Sequence, residues 1–264
     1  EAFARAAEHA GRAHAPREEL LARGHSCAAA ARGPMAAGEA IAVCSHALEE
    51  SGGNLLLEAF ASESLGLVLA RSGRLDEARE LFATARRNRT DLGQRLAVAA
   101  SAEFAALVER LAGDLESAER ELRAGCEALE RMGATSLLAW LLGLLAEVVL
   151  ELGRFGEADR LARRSEELAA VDDIDAQIQW RLVRARLTAR AGGEGSVATA
   201  QEAVRLALET DALDRQGDAY LVMAEVTGDA TYLDEARSCY EQKGYPMPAR
   251  PAEPRQPPSP PVAV

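Results

Sequence analysis

This 264-residue sequence contains a single lysine, and only two of its ten prolines precede residue 246. Lys243 is the only lysine and follows Gln242, so the chain cannot supply the GxxxxGK[ST] loop that binds nucleotide phosphates. No proline occurs between Met35 and Tyr245, a stretch rich in alanine, leucine, glutamate and arginine. This composition is typical of helices joined by short turns.

Basic residues are also too few to balance the acidic ones. The sequence has 42 acidic and 30 basic residues, which gives a formal charge of −12. Such a surface repels phosphate backbones and anionic lipid headgroups, so we expect neither nucleic acid nor a membrane as partner. The partners that remain are a protein, a peptide or a small effector.

Cysteine is sparse and forms no CxxC pair, so we expect reduced, cytoplasmic thiols and no disulfide. The four cysteines are Cys27, Cys44, Cys126 and Cys239. The pattern His25-Ser-Cys27 and Cys44-Ser-His46 resembles a set of four zinc ligands. Residues two apart on a helix point about 200° apart, so neither pair easily faces one metal ion. Packed cysteines with exposed histidines are the simpler interpretation.

A triplet of small residue, glycine and small residue, spaced by seven and then five positions, recurs along the chain. The six copies are Ser26, Gly33, Gly38; Gly66, Gly73, Ala78; Ala106, Gly113, Ala118; Ala146, Gly153, Ala158; Ala185, Gly192, Val197; and Ala224, Thr231, Ala236. Successive copies lie 40, 40, 40, 39 and 39 residues apart, which indicates an array of structural repeats.

The triplet fits a hairpin of two helices, A and B. The small residues mark the point where the helices cross, because large side chains there would hold the backbones apart. The glycine ends helix A, since it adopts the left-handed conformation without a Cβ penalty. We therefore predict an all-α, right-handed superhelical solenoid of about six antiparallel helix hairpins, with a half-hairpin at residues 1–12. Its turns are expected at Gly33, Gly73, Gly113, Gly153 and Gly192.

The sequence divides into two regions. We expect the repeat domain to cover residues 1–244 and to be cut from a longer protein, because the chain begins inside a helical pattern without a methionine. Eight of the ten prolines lie in residues 246–261, so residues 245–264 are predicted to be a disordered, proline-rich tail. Segment 257–261 has a composition that docks in aromatic grooves, although an inert end is the simpler interpretation.

The triplet and its 12-residue spacing resemble the tetratricopeptide repeat, lengthened from about 34 residues to 39–40. The chain further resembles the C-terminal arms of bacterial signalling proteins that carry an adenylate/guanylate cyclase domain and an AAA-type ATPase. The segments that carry this second resemblance are residues 112–114, 118–129, 165–169, 172–173, 179–185, 224–226 and 240–244. It implies a non-catalytic, regulatory arm whose partners include the upstream ATPase module, a protein, a peptide or a small effector. Similar arms in ATPase-containing LuxR-type transcription activators are the alternative.

Residue patterns for chemistry are weak. Residues 193–198 match GxGxxA, but no strand precedes them, as a dinucleotide site requires. The acidic run at residues 172–175 lacks the calcium-loop pattern and fits a helix-capping turn. No Ser–His–Asp or Cys–His arrangement stands out. We expect this segment not to be an enzyme and to hold no cofactor and no metal.

The tetratricopeptide resemblance also implies a binding surface. In such arrays the A helices line a concave groove, at fixed positions relative to the first small residue. Transferring that register names the predicted groove residues. These are Phe60, Glu63, Arg71, Glu103, Arg110, Trp140, Glu147, Gln179, Arg186, Arg190, Asp218 and Glu225. Aromatic anchors and charges of both signs suit a peptide or a polar effector.

Overall fold

The computed structural model describes residues 2–248, which form helices and turns without any strand in that range. The helices are α1 Ala2–Arg12, α2 Pro16–Arg32, α3 Ala37–Glu49, α4 Leu55–Arg71, α5 Leu75–Asp91, α6 Arg95–Ala100, α7 Ala102–Leu111, α8 Leu115–Met132, α9 Thr135–Glu151, α10 Phe155–Leu168, α11 Ile174–Arg190, α12 Ser196–Leu208, α13 Leu213–Thr227 and α14 Thr231–Lys243. Helix A of the third repeat is interrupted at Ser101, which separates α6 from α7.

The predicted all-α solenoid of six hairpins is confirmed. Helix pairs α2–α3, α4–α5, α7–α8, α9–α10, α11–α12 and α13–α14 are the hairpins, and α1 packs on α2 as the half-hairpin. The first helix of each hairpin is its A helix and the second is its B helix. The A helices are therefore α2, α4, α6–α7, α9, α11 and α13. Each hairpin packs on the next, as in other repeat arrays.

The predicted turn glycines end their helices as expected in four of five hairpins. Gly73, Gly113, Gly153 and Gly192 have φ values of 85°, 84°, 78° and 67°. Gly33 also follows the last residue of its helix, but its φ of −82° and ψ of −166° are extended, so the left-handed expectation is wrong there. The cause is Pro34, whose ring disfavours helical ψ in the preceding residue.

A second glycine series marks the turns between hairpins, and sequence reasoning missed it. Gly53, Gly93 and Gly133 lie 40 residues apart and have φ values of 82°, 69° and 67°. The next position in the series is Asp173, whose carboxylate instead caps α11 by accepting from the Ala176 N–H. The repeat therefore has two glycine series in the sequence, one at the turns within hairpins and one at the turns between hairpins.

Small residues lie at the helix crossings in the regular hairpins. A Cβ atom at Gly66 would lie 2.7 Å from the Phe82 ring, so no larger residue fits without repacking. The third members predicted for the first and fifth copies are wrong, because Gly38 has open space around it and Val197 is exposed. The preceding residues, Ala37 and Ser196, are buried instead. Helix B in these two hairpins is therefore rotated by one residue.

The core shows that the two ends of the solenoid meet. The first apolar cluster contains Cys27, Ala40 and Cys44 of the first hairpin together with Tyr240 of α14. Tyr245, just after α14, is buried in the same cluster, and Met247 packs against it. Apart from residues 245–248, the predicted proline-rich tail lies outside the described residues.

Candidate interaction surface

Lys243 joins the last helix to the first hairpin. Its fully buried ammonium donates to the carbonyl oxygens of Gly33 at 2.6 Å, Met35 at 2.8 Å and Ala30 at 3.3 Å. In a continuous helix the Ala30 carbonyl would accept from residue 34, but Pro34 has no N–H. A cation at a helix C-terminus also faces the negative end of the helix dipole. The ammonium thus completes the end of α2, although burial lowers its pKa.

A second contact across this junction joins α4 to α13. The Arg71 Nε lies 3.2 Å from an oxygen of Asp214, and its Nη2 lies 3.5 Å from an oxygen of Asp218. Tyr240 donates its hydroxyl to the other Asp218 oxygen. Burial opposes ionisation of Asp214, but the charges of Arg71, Arg215 and Lys243 together outweigh it and lower the pKa of that carboxyl. We call these contacts, with those of Lys243, the seam.

Consecutive A helices carry charges of alternating sign on their inner face. Arg110 contacts Glu147 at 2.9 Å, Glu147 contacts Arg186 at 3.0 Å, and Arg186 contacts Glu225 at 2.9 Å. Glu151 adds a second carboxylate for Arg110 at 2.5 Å. We call these five residues the charge ladder. It runs across α7, α9, α11 and α13, so it links four successive repeats.

Glu147 is the centre of the ladder. Its second carboxylate oxygen accepts from the Gln179 amide at 2.8 Å. Burial raises the pKa of this carboxyl, but the charges of Arg110 and Arg186 and the Gln179 hydrogen bond outweigh burial and lower it to about 2. Glu147 is therefore ionised at neutral pH and holds two arginines inside the solenoid.

A third group surrounds Trp140. Glu103 accepts from the Trp140 indole N–H and pairs with Arg32 at 2.9 Å. The Arg215 guanidinium lies 4.5 Å from the centre of the Trp140 ring, in a cation–π arrangement. Arg215 also approaches Asp175 at 3.8 Å. Side chains from α2, α7, α9, α11 and α13 thus meet at one end of the interior.

Nine of the twelve predicted groove residues take part in these three groups. They are Arg71, Glu103, Arg110, Trp140, Glu147, Gln179, Arg186, Asp218 and Glu225. The other three have separate neighbours. Arg89 pairs with Glu63 at 2.6 Å and lies over the Phe60 ring, while Arg190 lies over Phe155. That these residues bind a partner stays a prediction.

Sequence reasoning missed several residues of the same surface. Glu151 shares a helix face with Glu147, so the four-residue spacing was a usable signal. Lys243 was noticeable as the only lysine. Arg32, Asp214 and Arg215 carry no local signal, because they reach the interior only through the way the ends of the solenoid meet.

A cleft of about 1180 Å³ opens beside the seam. We call it the seam cleft. It lies between the first hairpin with α1, on one side, and the N-terminal ends of α11 and α13 on the other. Its lining residues are Phe3, Ser26, Ala29, Ala30, Arg32–Met35, Glu39, Val43, Asp172–Asp175 and Thr210–Ala212.

The zinc-like pattern is not a convergent site. Cys27 and Cys44 are buried side by side, with the Cys44 thiol 3.7 Å from the Cys27 carbonyl oxygen. The His25 ring lies 5.3 Å from the rings of both Phe3 and Phe60, and His25 and His46 are both exposed. Within residues 2–248 no three histidine, cysteine or acidic side chains are placed to hold a metal ion. In the same range no helix is both long enough and apolar enough to cross a membrane.

Comparison with known proteins agrees with this architecture. Residues 57–131 match the tetratricopeptide repeat family. The crystal structure of BtubC (BKLC) from P. vanneervenii superposes with a TM-score of 0.53 at 14% sequence identity. The match covers 83% of this chain and 97% of that chain, and at this identity it speaks for the fold alone. No curated protein matches the sequence. The chain is a tetratricopeptide-like solenoid, a class that generally mediates protein–protein interaction.

Proposed function

We propose that this chain is a non-catalytic interaction arm that recognises a protein, a peptide or an effector with the charged interior of its solenoid. The observation that supports this most directly is the charge ladder. Four successive repeats place charges of alternating sign on one continuous surface, centred on Glu147 between Arg110 and Arg186. Trp140 and Arg215 provide an aromatic and cationic platform beside it.

Stability alone does not require such an interior. Desolvation offsets much of the attraction in a buried ion pair, and well-packed apolar residues stabilise a fold as well or better. The ladder therefore favours a role in recognition, where a partner's charges replace intramolecular pairs. Glu225, 53% exposed at the end of the ladder, is the pair member most accessible to a partner.

We further propose that the arm belongs to a bacterial signalling protein with an upstream cyclase domain and an ATPase, and that it relays occupancy to the ATPase. The support is the sequence resemblance described above. A sensor arm of an ATPase-containing LuxR-type activator is the alternative. The parent gene separates them, since the first requires an upstream cyclase domain and the second a terminal helix-turn-helix.

Trp140 fluorescence tests the interior as a binding surface. Trp180→Phe leaves Trp140 as the only tryptophan, and the purified ATPase module of the parent protein is then titrated in. We expect the emission to shift on binding, because a partner in the interior changes the Glu103 and Arg215 contacts of the indole. Glu225→Gln should weaken the response.

The matched control is Glu241→Gln on α14, an exposed carboxylate outside the ladder that makes the same charge change. It should leave the response unchanged. Binding detected by calorimetry without any change in Trp140 emission, and equally tight for Glu225→Gln, would show that the partner uses another surface.

A further inference from the structure

The seam cleft has an apolar wall on the side of the first hairpin. Phe3 is 44% exposed and Val43 36%, and Pro34 and Met35 continue this surface at the turn. Most exposed apolar side chains on a protein are scattered singly and need no explanation. Here an aromatic, two aliphatic side chains and a proline line one concavity, which is the form of a site for an apolar anchor.

The rest of the lining is acidic. Asp172 and Asp211 stand exposed at the turns before α11 and α13, and Glu39 lies opposite on α3. Within residues 2–248 these three carboxylates make no ion pair, whereas the basic lining residue Arg32 is paired with Glu103. The cleft therefore presents uncompensated negative charge around its apolar wall.

Shape and charge together select the class of partner. The cleft, at about 1180 Å³, exceeds the roughly 300–1,000 Å³ typical of small-molecule sites and fits a chain segment better. Its acidic rim repels nucleic acid and complements lysine or arginine. Its apolar wall adds the need for one aromatic or aliphatic side chain between the basic ones.

We propose that the seam cleft binds an extended basic segment of a partner protein, with an apolar side chain against Phe3 and Val43 and basic side chains toward Asp172, Asp211 and Glu39. This inference rests on the proposed function, because it names a second contact of the same interaction arm. It places that contact where the two ends of the solenoid meet, so a bound segment bridges the first hairpin and the last two.

The probe is the labelled peptide Arg-Arg-Leu-Phe-Arg-Arg, titrated by fluorescence anisotropy against the full chain. We expect saturable binding that weakens as salt rises, because exposed charges are screened. The double variant Asp172→Asn, Asp211→Asn should bind roughly tenfold more weakly, and Val43→Ser should also weaken binding. The acidic counterpart Glu-Glu-Leu-Phe-Glu-Glu should not bind.

The matched control is Glu116→Gln, Glu127→Gln, which makes the same charge change at exposed positions on α8 outside the cleft. Equal weakening by this control would reduce the effect to net charge and overturn the proposal. So would peptide binding that survives the Asp172 and Asp211 changes. If Glu225→Gln abolishes peptide binding instead, the interior is the site, and the proposed function stands without the cleft.

The chain's own residues 249–264 contain Arg250 and Arg255 and are the competing occupant. A chain ending at Pro248 should bind the probe with unchanged affinity if the partner is another protein. An affinity gain of about tenfold or more, reversed by adding the peptide of residues 249–264, would assign the cleft to the chain's own tail and overturn the proposal.

Discussion

Removing the Lys243 ammonium should loosen the seam. Lys243→Met retains an unbranched apolar stem of similar length and deletes the charge that donates to Ala30, Gly33 and Met35. Pro34 cannot replace the lost donor at the Ala30 carbonyl. The three carbonyl oxygens would then lose the hydrogen bonds from the ammonium, at a junction where Lys243 is now fully buried.

The expected loss is about 3 kcal/mol in the free energy of unfolding. A hydrogen bond from a charged donor contributes about 1.5–3 kcal/mol, and three are lost, but the substitution also removes the cost of burying an ammonium. Burial lowers the pKa of Lys243, which is the sign of that cost. Such a loss is large compared with the free energy of unfolding of a typical domain, which is about 5–15 kcal/mol.

Urea unfolding followed by circular dichroism measures this loss. The control is Arg87→Met, which removes a cation from an exposed position on α5 and should change the unfolding free energy by less than about 0.5 kcal/mol. Lys243→Met with a loss as small as that of the control would refute the reasoning. The seam would then not depend on this ammonium.

Four further predictions follow from the packing, the ladder and the free thiols. Ala118→Leu should destabilise by roughly 1–3 kcal/mol, because Ala118 is fully buried where α7 and α8 cross; an unchanged melting temperature would contradict this. Gly66→Ala should cost a similar roughly 1–3 kcal/mol by displacing the Phe82 ring, and Phe82→Leu in the same chain should recover part of it. The pKa of Glu147 is lowered to about 2 from 4.5, so its stabilisation is complete above pH 4.5 and lost as the pH falls toward about 2. Urea midpoints across that range should fall less steeply for Glu147→Gln than for the unmodified chain. Four thiols are free, so mass measurement after thiol labelling in denaturant, without reductant, should find four adducts.

The fold was predictable because its determinants are local. A glycine such as Gly113 and a small residue such as Ala118 act within one hairpin, and six repetitions make the pattern unmistakable. The two register errors, at Gly38 and Val197, arose because the spacing between helices varies by one residue when the turn changes. Pro34 causes that change in the first hairpin, by holding Gly33 extended.

The candidate site was predictable only in part. The inner faces of the A helices follow from the repeat register, and nine of twelve residues named from it lie in the interior networks. The closure of the solenoid cannot be predicted from the repeat register, because it depends on small rotations that add up from one repeat to the next. Contacts such as Lys243 to Gly33, 210 residues apart in sequence, therefore have no sequence signal.

The meeting of the two ends of the solenoid is the claim on which the seam and the seam cleft both depend. Spin labels at Glu39→Cys and Asp211→Cys, both in the cleft lining, report on it directly by double electron–electron resonance. A closed solenoid predicts one narrow distance of roughly 20 Å, about two helix diameters. An open array separates the first and last hairpins by five helix-packing steps or more, so a distance beyond roughly 45 Å would contradict the closed structure.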